Sequence, residues 1–231
     1  MGGARIDSLS RFCQVRLVRS LPASSCSTRR DATREAVLAA ALRCFARDGY
    51  RRTALDRVAA EAGISRAALY LHFANKEALF RALVGDLHAH ALAEAARASR
   101  RPGDLAERLT AVLAAKSGRF FDLLRSSQHA EEFLDENHRL CGDLSGKAAA
   151  EHARLVTRVL AAAAAAGDIS LPGAGLSAAQ AAELLLATAD GIKARGRTTL
   201  SGREYDRRLR QAVRVVVAGL ARLAPRRRAR P

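Results

Sequence analysis

Residues 53–73 read Thr53-Ala-Leu-Asp-Arg-Val-Ala-Ala-Glu-Ala-Gly63-Ile-Ser65-Arg-Ala-Ala-Leu-Tyr70-Leu-His-Phe73. Two short helical patterns flank a glycine. Thr53 is expected to open the first as its cap, with Asp56 three residues on in capping-box spacing. Val58, Ala59 and Ala62 would form its inner face. Gly63 stops it, and Ser65 caps a second helix running through Leu69 to about Phe73. Two short helices meeting at a fixed angle need a small residue at their contact, a glycine where the turn takes positive φ, and apolar residues that lock the angle. Ala59, Gly63 and the set Val58, Ile64 and Leu69 meet those needs. The spacing predicts a helix-turn-helix, with an ordinary helical hairpin as the alternative on pattern alone.

The chain on either side is helical as well. From Asp31, the residues Ala36, Val37, Ala40, Ala41, Cys44 and Phe45 recur at spacings of three and four, with Gly49 as a C-cap. Asn75 caps a helix from Lys76 carrying Leu79, Leu83, Leu87 and Leu92, which Pro102-Gly103 ends. Asp104 starts another, with Leu105, Leu109, Val112 and Leu113. A shorter stretch holds Phe133, Leu134 and Leu140; a long helix follows over roughly 143–166. Ser177 caps the next, to about Gly196, and the last covers roughly 203–223. This gives about nine helices, no strand and no internal repeat, hence an all-α chain. The composition shift near Arg101-Pro102 marks the clearest boundary between a small N-terminal domain and a larger helical one.

Of 231 residues, 49% are hydrophobic and only 4% aromatic, with no Trp. Ala, Leu and Val dominate, and Ala and Leu lose little side-chain freedom in a helix. The net charge of +16 suggests nucleic acid, but it is concentrated at the ends. Residues 1–30 carry six Arg against one Asp, and residues 221–231 five Arg and no acid. Residues 1–28 are expected to be a flexible extension and 225–231 a basic tail. Cys13, Cys26, Cys44 and Cys141 lack metal-ligand spacing and imply no disulfide framework, which favours a reducing cytoplasm. No apolar run approaches the ~18 residues of a membrane span. Gly173-Ala-Gly-Leu-Ser-Ala178 matches a dinucleotide fingerprint but lacks the strand that would precede it. His88 and His90, two apart on a helix, make a poor metal pair. With no GxxxxGK[ST], HExxH or GxSxG, no catalytic role, cofactor or metal is expected.

The run Ala41-Leu-Arg-Cys-Phe45, Asp48-Gly-Tyr50, Thr53, Val58-Ala59, Ala62-Gly-Ile-Ser65, Leu69-Tyr70, His72-Phe73 and Asn75-Lys-Glu77 resembles the DNA-binding domain of the TetR family of repressors. Ala54 and Ala68 depart from that pattern, where Thr or Ser is frequent. The resemblance implies a DNA-binding domain over 29–80 and an effector-binding and dimerisation domain over 81–224. Ser65, at the start of the recognition helix, leaves backbone N–H groups near a phosphate. Arg66 and Ala67 would face base edges, where Arg commonly reads guanine. Tyr70, His72 and Lys76 match positions that grip phosphates, and Thr53 is a cap that can also reach one.

Phe120, Phe121, His129, Phe133, His138 and Cys141 fall in the stretch expected to line a cavity for a small-molecule effector, although each Phe could equally be core. In the family the last two helices pair with their copies, which points to Leu184, Leu185, Val213, Val216, Val217 and Leu220 as a homodimer interface. The reading is a cytoplasmic repressor that holds a palindromic operator in double-stranded DNA as a homodimer and is released by a small molecule, with no membrane partner. The alternatives are an all-helical enzyme or carrier, or a DNA-binding protein without an effector.

Overall fold

The computed structural model describes the backbone of residues 29–125, 127–195 and 201–223, and the side chains of 30–116, 127–194 and 201–223. The expected extension over 1–28 and tail over 225–231 lie outside the described residues. The long elements are all helices: α1 (Arg29–Asp48), α2 (Leu55–Glu61), α3 (Arg66–Tyr70), α4 (Lys76–Ser99), α5 (Leu105–Arg125), α6 (Ala130–Ala165), α7 (Ala178–Arg195) and α8 (Gly202–Arg222). The fingerprint-like segment forms a short 3-10 turn, Pro172–Ala174. The two helices expected over about 129–140 and 143–166 are the two arms of α6, joined through a non-helical Cys141 at φ −130°, ψ 17°. A break of this kind leaves carbonyls without their usual N–H partner. Arg81 donates to one of them, Leu140 O.

Local side chains set several helix starts. Ser65 Oγ accepts from Ala68 N at 3.1 Å, and Asn75 Oδ1 from Ala78 N at 2.7 Å. Ser177 and Gln180 form a reciprocal capping box, Oγ accepting from Gln180 N and Gln180 Oε1 from Ser177 N. Thr53 does not cap α2. Ala54 occupies the N-cap position and makes no side-chain bond there. The Thr53 hydroxyl instead donates backwards to Gly49 O at 2.6 Å.

The chain divides into two compact units, one formed by residues up to Val84 with Ser126–Cys141, the other by Gly85–Arg125 with the residues from Gly142 onward. The first therefore takes in a segment from well beyond residue 80. Its core combines Val37, Ala40, Ala41, Val58, Leu69, Leu79 and Leu83 with an aromatic run. Phe45 meets Tyr50 at 5.4 Å between centroids, Tyr50 meets Phe80 at 4.9 Å and Phe80 meets Phe133 at 4.8 Å. Such pairs contribute about 0.5–1.5 kcal/mol each beyond their burial. Phe133 thus fastens the first arm of α6 to the start of α4, whose Phe80 in turn packs on Phe45 of α1.

In the second unit α8 packs against α5 and α7. The stripe Tyr205, Leu209, Val213, Val217 and Leu220 is buried at helical spacing. It joins Leu109, Val112, Leu113, Val156, Leu160 and Leu185 in one core. This corrects the expected interface. Leu185, Val213, Val217 and Leu220 are buried within their own chain, because a helix with one apolar stripe spends it on the nearest core first. What remains outside is Leu184 at 48% exposure and Val215 at 73%, with Val216 partly covered.

Candidate nucleic-acid interface

The α2–α3 turn has the geometry a rigid recognition element needs. Ile64 N donates to Ala59 O at 3.0 Å and Gly63 N to Ala60 O at 3.1 Å, the two bonds of a Schellman stop. Gly63 takes φ +70°, a region that a side chain disfavours. Val58, Ala59 and Leu69 are buried beneath the turn. Among the described residues three ion pairs tie α2 to α1, Arg43 to Glu61 at 2.8 Å, Arg57 to Asp48 at 3.2 Å and Arg47 to Glu61 at 3.4 Å. The bond from Arg43 holds the Glu61 carboxyl below the ordinary range against the opposing effect of burial.

With its inner side anchored, α3 presents Ser65, Arg66, Ala67 and Tyr70 outward. Arg66 Nη1 donates to Asp56 Oδ2 on α2 at 2.7 Å, and its guanidinium lies 5.5 Å from the Tyr70 ring centre. The Tyr70 hydroxyl and then Asp56 favour its charged form. The ion-pair side chains are 64% and 56% exposed, so solvent screens the pair and a phosphate or base edge can replace it. Tyr70 is 42% exposed and Leu71, just past the helix, 78%. His72 is half-buried, with its ring 6.3 Å from that of Phe73.

Thr53 and Lys76 stand apart from this face. Thr53 is 1% exposed with its hydroxyl turned inward. Lys76 Nζ donates to three carbonyls, Tyr50 O and Arg51 O at 3.0 Å each and Thr53 O at 3.2 Å. It also lies 4.7 Å from the Tyr50 ring centre, a cation–π distance. In this structure its ammonium closes the turn ahead of α2.

The same turn is held from its other side by α6, and this clamp was not anticipated. Glu132 Oε1 accepts from Arg51 N at 2.7 Å. Glu136, buried at 4% exposure, bridges Arg139 at 2.7 Å and Arg51 at 3.3 Å. Burial alone would raise the Glu136 carboxyl, but the bonds from Arg139 and Arg51 outweigh it and hold it low. Gly49, at φ +83°, is the one residue that fits here, since a Cβ would collide with the Glu132 carboxylate. The pairs Glu131-Glu132 and Asp135-Glu136 read in sequence as solvated surface. Glu131 and Asp135 are, whereas Glu132 and Glu136 share the helical face of Phe133. That shared spacing was the available signal.

Of the expected effector residues, the four whose side chains are described fall within the first unit. His129 Nε2 lies 3.1 Å from Arg52 and its Nδ1 3.7 Å from Glu132, so it belongs to the same clamp. Phe133 and Cys141 are buried in the first unit, and His138 is exposed with Nδ1 2.8 Å from Leu134 O. The side chains of Phe120 and Phe121 lie outside the described residues. Among the described residues no group of three His, Cys, Asp or Glu side chains is placed to hold a metal, and no helix is long and apolar enough to cross a membrane.

Two short helices, the positive-φ glycine between them and the outward-facing second helix make this segment a helix-turn-helix. Comparison with known proteins adds the class. Residues 37–83 match the family model for bacterial regulatory proteins of the tetR family. The HTH-type transcriptional regulator TtgR of Pseudomonas putida is 45% identical over 56 residues, 24% of this chain and 27% of that protein. The HTH-type transcriptional activator FasR of Mycolicibacterium smegmatis is 33% identical over 109 residues, 47% of this chain and 48% of that one. The chain thus matches about a quarter and about half of the length of these two relatives. The structure of SmeT, repressor of a Stenotrophomonas maltophilia multidrug efflux pump, superposes with a TM-score of 0.58 at 25% identity, covering 82% of this chain and 91% of SmeT. SmeT has also been solved as a triclosan complex. The matched segment, these relatives and the shared fold together indicate a transcriptional regulator of the TetR family.

Proposed function

We propose that this chain is a homodimeric repressor that holds an operator through two copies of α3 and releases it when a small molecule occupies its second unit. The observation that carries this reading is the α3 face, with Ser65, Arg66, Ala67 and Tyr70 exposed on a helix whose inner side is fixed by Leu69 and the Gly63 stop. Arg66, once released from Asp56, suits bidentate readout of guanine, and Ala67 leaves room for close approach to a base edge. Tyr70, His72 and the N-terminal N–H groups behind Ser65 suit phosphate. Thr53 and Lys76 act as positioning residues that fix the turn before α2.

Reading a palindrome requires two copies, with recognition helices about 34–36 Å apart for adjacent half-sites. Leu184 and Val215, flanked by the exposed small residues Ala187, Gly191, Ala218 and Gly219, supply a self-complementary apolar face for a two-fold partner. The repressor role is supported by SmeT and a small-molecule effector by its triclosan complex. The match to FasR favours a second reading, activation through the same DNA contacts.

Genomic fragments retained by the purified chain, tested by gel shift with and without candidate effectors and in a promoter–reporter strain, decide among these readings. The proposal expects a discrete shifted complex, loss of that complex with effector, and raised reporter output on deletion of the gene. Lowered output on deletion selects the activator reading, and the absence of any sequence-preferring complex removes both.

A further inference from the structure

The second unit holds a group of polar side chains that DNA binding leaves unused. His152 on α6 is 1% exposed. Its Nε2 lies 2.9 Å from Val112 O on α5. A carbonyl can only accept, so Nε2 carries the hydrogen and Nδ1 is a bare acceptor. Among the described residues nothing donates to that Nδ1. Buried polar atoms are paired in the great majority of cases, so an orphan inside a helical core marks a place where a partner is missing.

Three further helices bring polar groups to the same place. Ser145, two turns before His152 on the same face of α6, sits 3.2 Å from His88 Nε2 on α4. The small Ala148 and Ala149 separate Ser145 from His152 along that face. Lys116 on α5, one turn beyond Val112, is half-buried. Burial and then the Lys116 ammonium press the His88 pKa down. Burial likewise leads the lowering at His152, with Lys116 adding to it, while the bond to Val112 and the exposed Asp190 of α7 work the other way. With both imidazoles neutral, the cluster holds one cation, one exposed anion and one unanswered acceptor.

Those charges select the occupant. A cation meets the Lys116 ammonium and is repelled. A neutral donor satisfies Nδ1 but brings no negative charge to Lys116. An anion pairs with Lys116, and its negative charge favours proton binding at Nδ1, which turns that atom from acceptor into charge-assisted donor. One turn along α4 from His88, a cleft of about 210 Å³ opens, lined by Leu92, Ala96, Glu151, Arg154, Leu155 and Arg158. It combines apolar walls with two further cations and one carboxylate, Glu151, a net positive lining. It is smaller than the roughly 300–1,000 Å³ of a drug-sized pocket, so it suits a short body.

We propose that His88, Lys116 and His152 form the recognition point for the carboxylate of a small amphipathic acid, which binds together with one proton taken up from solvent. This rests on the effector reading, whose chemical class it names. The acid loses no bond: its carboxylate stays ionised, and the proton adds to Nδ1 of His152.

The test uses the full chain without DNA. Straight-chain carboxylates from butanoate to decanoate are compared with the matching alkan-1-ols and alkylamines by thermal shift. Isothermal titration calorimetry of the best binder at pH 7, in phosphate and in Tris, then counts protons. The expected result is stabilisation by carboxylates alone, with proton uptake approaching one per site. His152→Gln preserves a donor to Val112 O and cannot take the proton; it should weaken binding about tenfold and reduce uptake to near zero. Lys116→Met, at a half-buried position, should weaken binding similarly and carries the test if the His152 variant does not fold. Equal stabilisation by alcohols or amines, no carboxylate binding, or binding without proton uptake overturns the proposal. Gel shifts with the same probes separate the two levels. Acids that bind but leave the operator complex intact refute the effector reading alone, while release by a non-acid that ignores these substitutions refutes the site alone.

Discussion

Replacing Lys76 with Met should destabilise the first unit, and the structure gives the size. The ammonium donates to Tyr50 O, Arg51 O and Thr53 O, all within 3.2 Å, and lies against the Tyr50 ring. A hydrogen bond to a charged group is worth roughly 1.5–3 kcal/mol net. These three share one side chain at a half-buried site, and the freed carbonyls regain some water, so the sum is nearer 2 kcal/mol than three full bonds. At about 2–4 °C per kcal/mol for a chain of this size, Tm should fall by roughly 4–8 °C. Circular dichroism melts of wild type and Lys76→Met measure it. A side chain that only gripped a phosphate would leave Tm unchanged and lower the slope of log K against log salt by about one unit. An unaltered melt with a reduced slope would therefore refute the positioning role and restore Lys76 to the DNA-contacting set.

Three further outcomes are expected. Arg66→Ala should weaken operator binding by ~1–3 kcal/mol and relax preference at one position per half-site, read by gel shift on a substituted operator series; uniform weakening on every DNA would place Arg66 on phosphate instead. Leu184→Glu with Val215→Glu should give a folded monomer in sedimentation that no longer shifts a two-site operator, since both side chains are exposed and their loss spares the core; a dimer that still binds would put the interface elsewhere. His88 and His152 hold their protons more weakly folded than unfolded, so the unfolded chain protonates first as pH falls. Stability should be full above about pH 6.5 and decline below it, and His152→Gln should flatten that decline in denaturant titrations; an unchanged pH profile would contradict the assignment.

How far the sequence could be read depended on the range over which each feature is determined. The Schellman stop at Gly63 and the caps at Ser65, Asn75 and Ser177 involve bonds spanning three to five residues, and each stands where its residue type implied. Thr53 was reassigned over a span of only four residues, but Lys76 and Glu132 form longer-range bonds. Lys76 reaches carbonyls 23 to 26 residues away, and Glu132 meets Arg51 across 81. Nothing local in either stretch records those partners. Phe133 was legible as apolar and helical, but periodicity does not say which core a face joins, and it fills the one beneath Tyr50 and Phe80. Consecutive valines at 215–217 signalled surplus apolar surface on α8. Only the fold separated buried Val217 from Val215 on the outside.

The central claim is that α3 reads DNA sequence as one of a pair. Nuclease footprinting of the purified chain on an operator recovered from genomic DNA, repeated with Arg66→Ala, tests it most directly. The account predicts two protected half-sites related by two-fold symmetry, about one helical turn apart, with the Arg66→Ala footprint weakened and indifferent to one base pair in each half. Protection without preferred sequence or symmetry, identical for both proteins, would contradict it.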